Sequence, residues 1–547
     1  MIKGIGRGIR WCLCTAGDRD CGGVTALRRL LIVALVWGVE LFLLQALSFH
    51  FDYPVPLLKR VGAVTIRLVL DLAFAVGVVM VLPRLATAVV FFLFLLFVQV
   101  GLFYQAVFGR VISLSSARMQ WSEGVSVLHF EPSYVNLALL AVSLLFLVYK
   151  LWLLHWSRGE WRLRLWLGGG ALTLYAVLLA VSMGFVDSPR KLQTFVSGDR
   201  FGMTYGFLPL WVSEALYLDS DSLLQEAVAK REQATDRLAG VEPLFPLQGD
   251  VVIVQVESLD WRILHHKSNE REVTPFLNRL AEEAMLFKVA AFHDNGSGDA
   301  DFVMLNGVPP SPSVMTYTLS HYPYKNTLAQ RAVEAGYKTT ALHGNSGNFF
   351  SRRHNFRKIG FEQVLFMEEL RDYFQLPLSR WGVRDDDVLR LSGRILTGEC
   401  GAVMGGVVAA EGGHGELTPQ LHYIITLTSH QPFNFLESDE QQFLPGAVSL
   451  VERYYNSINF VDRQLQEYVA GLAEGTVLVV FGDHRAMVAF GESQGRVELV
   501  PFIIHQVGSR LAEVQVTREM ALAISGELTM VDTALYVHRL FVKPGEE

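Results

Sequence analysis

Four apolar runs in the second half of the chain each end on a side chain that can bind a cation or move a proton. VVIVQV is followed by Glu257, KTTALHG contains His343, YIITLTSH ends on His430, and TVLVVFGDH ends on Asp483 and His484. Any one of these has a bland explanation, because a lone histidine or carboxylate after a strand is usually a turn residue or a cap. Four together point to a shared site, since ligands in open α/β sheets gather at the carboxyl ends of the strands. Adjacent Asp483 and His484 offer one hard oxygen and one imidazole nitrogen, and Glu257 adds a second carboxylate. That donor set suits Mn2+ or Zn2+ better than Ca2+. The nucleophile candidate is Ser297 in HDNGSGDADFVMLNG (293–307), flanked by Gly296 and Gly298, with Asp299 and Asp301 in the turn that follows. Its hydroxyl either sits at the positive end of a helix, where an attached phosphate is stabilised, or simply caps that helix. Local sequence leaves both open.

Other polar residues read more plainly. His265 and His266 read as surface-loop residues, and EGGHGE (411–416) around His414 as a glycine-rich loop. Gly4, Gly6 and Gly8 have no preceding strand, so they make no dinucleotide site. Cys12, Cys14 and Cys21 lack the paired spacing of a metal site, and Cys400 has no partner on its side of the membrane.

The residues at the ends of the runs need a scaffold, and the runs themselves indicate which. Continuous apolar runs, as opposed to alternating ones, mark strands covered on both faces, as in a parallel sheet. Helical stretches lie between them: TPFLNRLAEEAMLF (274–287), TLAQRAVEAG, and VERYYNSINFVDRQLQEYVAGL. Residues 249–547 are therefore expected to form an α/β domain. Residues 187–248 form the expected linker, in which 219–240 has a cap-like start and helical spacing.

The first third is of another kind. The 547 residues are 51% hydrophobic and 18% charged, and a soluble domain carries about 25% charge. A net charge of −7 argues against a nucleic-acid partner. Five runs, near 30–48, 61–82, 85–108, 133–155 and 165–186, are long and apolar enough for a hydrocarbon core, which takes roughly 20 helical residues. They define an expected five-helix transmembrane domain over 30–186, after a segment 1–29 on the cytoplasmic side. Lys3, Arg7, Arg10, Arg19, Arg28 and Arg29 precede the first run, and Arg158, Arg162 and Arg164 lie between the fourth and fifth. By the positive-inside rule, everything after about residue 187 then lies outside the cytoplasm. Arg67 and Asp71, four apart in the second run, share a helix face, either as a structural pair or as a functional intramembrane charge.

The motifs resemble a known family. Glu257 after a strand, GSGDADF, HGNSGNFFSR (343–352), WGVRDDDV (381–388), LTSHQPF (427–433) and FGDH (481–484) occur in the order found in lipoteichoic acid synthase-like phosphoglycerol transferases. That family is the sulfatase-like part of the alkaline phosphatase superfamily, and its five-span membrane section followed by a catalytic domain looks the same. The resemblance implies that Glu257, Ser297, Asp483 and His484 hold one divalent metal, Mn2+ first with Mg2+ or Zn2+ as alternatives. It implies Ser297 as nucleophile, His430 as a catalytic acid/base group, and His343, Asn345, Phe350, Arg352 and His430 around the substrate. Three positions depart from the family: Ser297 where Thr is usual, Asn345 where Asp is common, and Phe350 where Trp is common.

The resemblance further implies an integral transferase of the bacterial inner membrane with its catalytic domain outside. It would move phosphoglycerol from a phosphatidylglycerol-type lipid donor to an envelope glycan, glycolipid or polymer acceptor through a covalent Ser297 intermediate. A phosphoethanolamine transferase or phosphodiesterase is the enzyme alternative. A sulfatase is not, because Gly298, Asp299, Ala300 and Asp301 after Ser297 lack the C/S-x-P-x-R signature. The non-enzyme alternative is a membrane receptor or scaffold that kept the fold.

Overall fold

The computed structural model describes residues 19–48, 57–108, 134–155, 161–185, 202, 204–217, 220–238, 247, 249–312, 314–319, 321–379, 382–400, 403–404, 407–408, 418–486, 488, 490, 497–508 and 528–542. Cys12, Cys14, Trp381 and the 411–416 segment lie outside them. The chain divides into two compact units, one of Met1–Arg118 and Phe130–Leu218, the other of Met119–His129 and Asp219–Glu547.

In the first unit the described residues form the helices α1 (Arg19–Ser48), α2 (Leu57–Val81), α3 (Arg84–Phe108), α4 (Tyr134–His155), α5 (Trp161–Phe185) and the shorter α6 (Phe207–Tyr217). Among the described residues, Val61–Val81, Arg84–Gly101, Ala138–His155 and Trp161–Ser182 are long and apolar enough to cross a membrane. Helix α1 contains the first expected run, 30–48, which is not among those four. Several polar groups inside this unit find partners, as a low-dielectric surround favours. Glu40 of α1 pairs with Lys150 of α4, and Lys150 also lies over the Phe91 ring at 5.0 Å. Gln45 donates to Asp71 at 3.0 Å and accepts from the Phe207 amide at 2.8 Å, which ties α1, α2 and α6 together. Arg67 lies over the Phe42 ring at 5.2 Å.

The second unit opens with α7 (Ser220–Leu238), close to the helix expected over 219–240. A seven-stranded sheet follows, built of β1 (Val251–Val256), β2 (Met285–Ala290), β3 (Lys338–His343), β4 (Gln363–Leu365), β5 (Gln420–Ile425), β6 (Val477–Gly482) and β7 (Leu499–Gln506). Its order is β2-β7-β6-β1-β5-β3-β4. β6, β1, β5, β3 and β4 are parallel, whereas β7 runs antiparallel to both β6 and β2. The sheet is therefore mixed, which corrects the expectation of a parallel one. The expected helix over 274–287 is corrected too, because it stops at Glu283 and MLF starts β2. Pairing of Met285–Ala290 with β7 overrides the local helical spacing, as tertiary context commonly does.

Among the described residues, eight helices of this unit flank or cap the sheet: α8 (Pro275–Glu283), α9 (Gly298–Asn306), α10 (Leu328–Glu334), α11 (Arg352–Ile359), α12 (Met367–Phe374), α13 (Asp385–Leu396), α14 (Leu450–Ala470) and α15 (Met530–Arg539). β1, β5 and β6 are buried along their whole length, which is why their sequences are mostly apolar, with Gln255, Gln420 and His422 as buried polar exceptions. α8, α13 and α14 bury their apolar faces in one core with β1 and β6. α14 starts at a capping box in which Ser449 and Glu452 satisfy each other's backbone donors.

Candidate active site

The parallel strands run the same way, so their ends bring the polar residues to one edge of the sheet. Val256 of β1 lies in register with Gly482 of β6, so Glu257 and Asp483 follow side by side. A side chain at 482 is impossible there, because a Cβ would fall 2.1 Å from the Leu259 carbonyl oxygen. Glu257, Asp483 and His484 are all buried, and one ligand atom from each lies within 4.8 Å of the other two. His484 Nε2 is 3.0 Å from Glu257 Oε1 and 3.6 Å from Asp483 Oδ1. Its Nδ1 is 2.8 Å from the Arg485 carbonyl oxygen, which can only accept, so Nδ1 carries the proton and Nε2 faces the carboxylates. Asp483 Oδ1 accepts from the Ser258 and His484 amides at 2.8 and 2.7 Å.

The electrostatics of the trio suit a cation. Burial alone would raise Glu257, but the His484 and His430 imidazoles hold it below the usual carboxylate range. Burial and the Glu257 charge push Asp483 well above that range. Burial opposes a charge on His484, yet Asp483 and Glu257 outweigh it and push the imidazole up to about 10. In other words, the site holds protons to offset two buried carboxylates. Asp483 Oδ2 is buried with no hydrogen-bond partner among the described residues. A divalent ion would satisfy that oxygen and replace the protons, so the residues fit a metal.

Ser297 precedes α9 and makes no side-chain cap bond. Its hydroxyl instead accepts from Arg352 Nη2 at 3.3 Å, and its carbonyl accepts from Gln255 of β1 at 3.3 Å. Gly296, at φ +101°, leaves room for the Phe350 ring, whose Cζ would be 2.8 Å from any Cβ there. Phe350 and Ser351 both adopt left-handed backbone (φ 52° and 56°) just before α11, a conformation costing on the order of 1–3 kcal/mol per residue. That bend aims Arg352 inward. Its Nε donates to Asp301 at 2.6 Å, and its guanidinium lies 5.1 Å from the centre of the Phe350 ring. Burial raises Asp301 to about 6 although Arg352 and Tyr317 pull the other way.

His343 ends β3 with Nδ1 3.0 Å from the Ile425 carbonyl oxygen and Nε2 3.4 Å from Arg352 Nη1. Burial and the Arg352 charge lower it to about 3, so the ring is neutral and turns its lone pair toward the guanidinium. His430 lies in the loop after β5, its Nδ1 2.6 Å from the Gln431 carbonyl oxygen. Asp385 at the start of α13 anchors that loop by accepting from the Leu427 and Thr428 amides at 2.7 and 2.8 Å. Asn345 turns back on its own loop, where Oδ1 accepts from the Ser346 amide at 2.7 Å.

The structure thus places Glu257, Asp483 and His484 in one cluster and links Ser297, Arg352 and His343 in another. Phe350 packs against the Ser297 turn. His265 and His266 lie away from these groups; His266 Nε2 is 2.7 Å from the Tyr455 hydroxyl. Sequence reasoning did not assign roles to Asp301, Asp385, His293 or Glu498. Asp301 and Asp385 were visible in quoted motifs, but nothing local says that one holds an arginine 51 residues away and the other a loop 42 away.

Comparison with known proteins bears on the domain that carries these residues. The sulfatase family model matches residues 249–519. The lipoteichoic acid synthase of Staphylococcus saprophyticus is 25% identical over 247 residues, covering 43% of this chain and 35% of that protein. The lipoteichoic acid synthase-like YvgJ of Bacillus subtilis is 25% identical over 288 residues, covering 47% and 43%. The chain therefore spans less than half the length of these curated relatives. The fold is also similar to that of the integral membrane lipooligosaccharide phosphoethanolamine transferase A of Neisseria meningitidis. There the TM-score is 0.54 at 13% identity, covering 94% of this chain and 95% of that one. Residues 249–519 match the sulfatase family, and the chain is similar to lipoteichoic acid synthases and lipoteichoic acid synthase-like proteins at 25% identity.

Proposed function

We propose that the protein is a membrane transferase moving phosphoglycerol from a phosphatidylglycerol-type lipid to a hydroxyl of an envelope glycan, glycolipid or polymer. The observation that carries this reading is the Ser297 hydroxyl, uncommitted to its helix cap and 3.3 Å from a buried arginine, in the same domain as a Glu257–Asp483–His484 cluster. One divalent cation, Mn2+ first, would be held by Glu257, Asp483, His484 and the Ser297 oxygen, supplying charge neutralisation and acidifying the hydroxyl.

The chain's own residues then do the rest. Ser297 Oγ attacks phosphorus and the bond to the diacylglycerol oxygen breaks, so one phosphodiester replaces another. Arg352 binds the phosphoryl oxygens through its planar fork, with Asp301 and His343 fixing its direction. His430 gives the leaving oxygen its proton and takes one from the acceptor hydroxyl in the second half. The acceptor oxygen then displaces Ser297. In this reading five spans run through α1 to α5, and the Lys/Arg asymmetry puts the catalytic domain outside the cytoplasm.

The test is incubation of the purified protein with Mn2+ and either phosphatidylglycerol or phosphatidylethanolamine labelled in the head group. Mass analysis of the Ser297 peptide should show a phosphoglycerol adduct from the first lipid. An adduct from the second lipid alone would select the phosphoethanolamine reading. No adduct and no labelled product from either would reject the covalent transferase.

A further inference from the structure

The antiparallel edge of the sheet brings two further side chains to the metal-ligand candidates. Leu499 of β7 pairs with Ala290 of β2, and the Ala291 amide donates to the Glu498 carbonyl at 2.9 Å. His293, three residues past β2, therefore meets Glu498, one residue before β7, with its Nδ1 3.5 Å from Glu498 Oε2. Glu498 also lies 3.7 Å from Arg485 Nε. The His293 ring lies flat on His484, their centroids 3.9 Å apart and their planes 11° apart.

His293, His484 and Glu498 stand close enough to be read as a second cation site, but the stacking argues against it. Ring nitrogens donate in the ring plane, about 2.1 Å from a metal. Two parallel rings 3.9 Å apart send their lone pairs side by side and do not converge on one ion. His484 has also only one lone pair to give, because Nδ1 is bound to the Arg485 carbonyl. That hydrogen bond pins one edge of the imidazole and leaves its tilt to be set by whatever lies on its face.

We propose that His293 is a positioning residue whose ring, braced by Glu498, holds the plane in which His484 Nε2 meets the cation. The inference rests on the cation site of the proposed function. Outer partners of metal-ligating histidines are worth about 10- to 100-fold in metal affinity, and a stacked ring acts in the same way, by limiting the orientations from which the lone pair misses the ion.

The experiment measures Mn2+ binding to the purified full-length protein by titration calorimetry for wild type, His293→Ala, His293→Phe and Glu257→Gln. His293→Ala should bind Mn2+ about 10- to 100-fold more weakly, and saturating Mn2+ should restore its turnover. His293→Phe keeps a flat ring without nitrogens and should bind close to the wild-type value. Wild-type affinity in His293→Ala overturns the inference. So does a phenylalanine variant as weak as the alanine one, because the nitrogen and not the ring face would then be at work. Should the alanine variant fail to fold, His293→Leu, which fills the space without a flat face, takes its place. Glu257→Gln separates the two levels: wild-type binding there removes the cation site itself, whereas its loss beside an unaffected His293→Ala removes the positioning role alone.

Discussion

Asp301 and Arg352 are buried to 0% and 1% exposure and joined at 2.6 Å, and removing either should have unequal consequences. At about 4 Å and an effective dielectric near 20, two unit charges attract by about 4 kcal/mol. Asp301→Asn removes that attraction and leaves a guanidinium that cannot lose its proton. Breaking a buried pair in this way costs about 3–5 kcal/mol. Arg352→Met leaves a carboxyl instead, and that carboxyl already titrates up at about 6 beside the arginine. Without the arginine it rises further and is neutral near pH 7, so the cost falls to that of a poorly satisfied buried polar group, about 1–3 kcal/mol. The double variant buries no charge at all. It should be no less stable than Asp301→Asn, and less destabilised than the sum of the singles by about 2–4 kcal/mol. Guanidinium unfolding of the three variants in detergent at pH 7.5 measures this, and turnover should be lost wherever Arg352 is absent. Additive single and double costs, or an arginine variant as unstable as the asparagine one, would refute the reasoning.

Four other outcomes follow from the site. Ser297→Ala should abolish turnover and adduct together while the melting temperature moves little, since no cap bond is lost; Ser297→Thr should keep measurable activity, and normal turnover by folded Ser297→Ala would end the covalent mechanism. Because the metal must displace a proton from a His484 titrating at about 10, Mn2+ affinity should weaken by at least about tenfold per pH unit lost between pH 9 and 7; calorimetry showing pH-independent binding would contradict this. His422, which burial lowers to about 3, is neutral in the fold and binds fewer protons than the unfolded chain below about pH 6.5. Its stabilisation is therefore complete above pH 6.5 and is lost as pH falls toward 3, so the difference in stability between wild type and His422→Gln should change by about 1.4 kcal/mol per pH unit there. Reporter fusions after residue 160 should be active only as cytoplasmic reporters and those after residue 200 only as external ones; the reverse would overturn the orientation.

Much of this molecule is determined locally, by which residues are apolar and where the runs stop. The membrane helices are legible because a hydrocarbon interior demands some twenty apolar residues in a row. β1, β3, β5 and β6 are legible because a strand covered on both faces has few polar positions to spare. Glu257, His343, Asp483 and His484 then stand out as the ionisable residues at the ends of those apolar runs. Tertiary structure alone decided the rest. Met285–Ala290 has helical spacing next to α8 and became a strand because β7 offered it a ladder. The same antiparallel edge set Glu498 beside His293, and the ring of His293 on His484. The bend at Phe350 and Ser351 turned Arg352 toward Asp301 and Ser297. A sequence pattern records whether a residue is buried, but not its partner; partners lying 51 or 191 positions apart are chosen only when strand register and chain direction close the sheet.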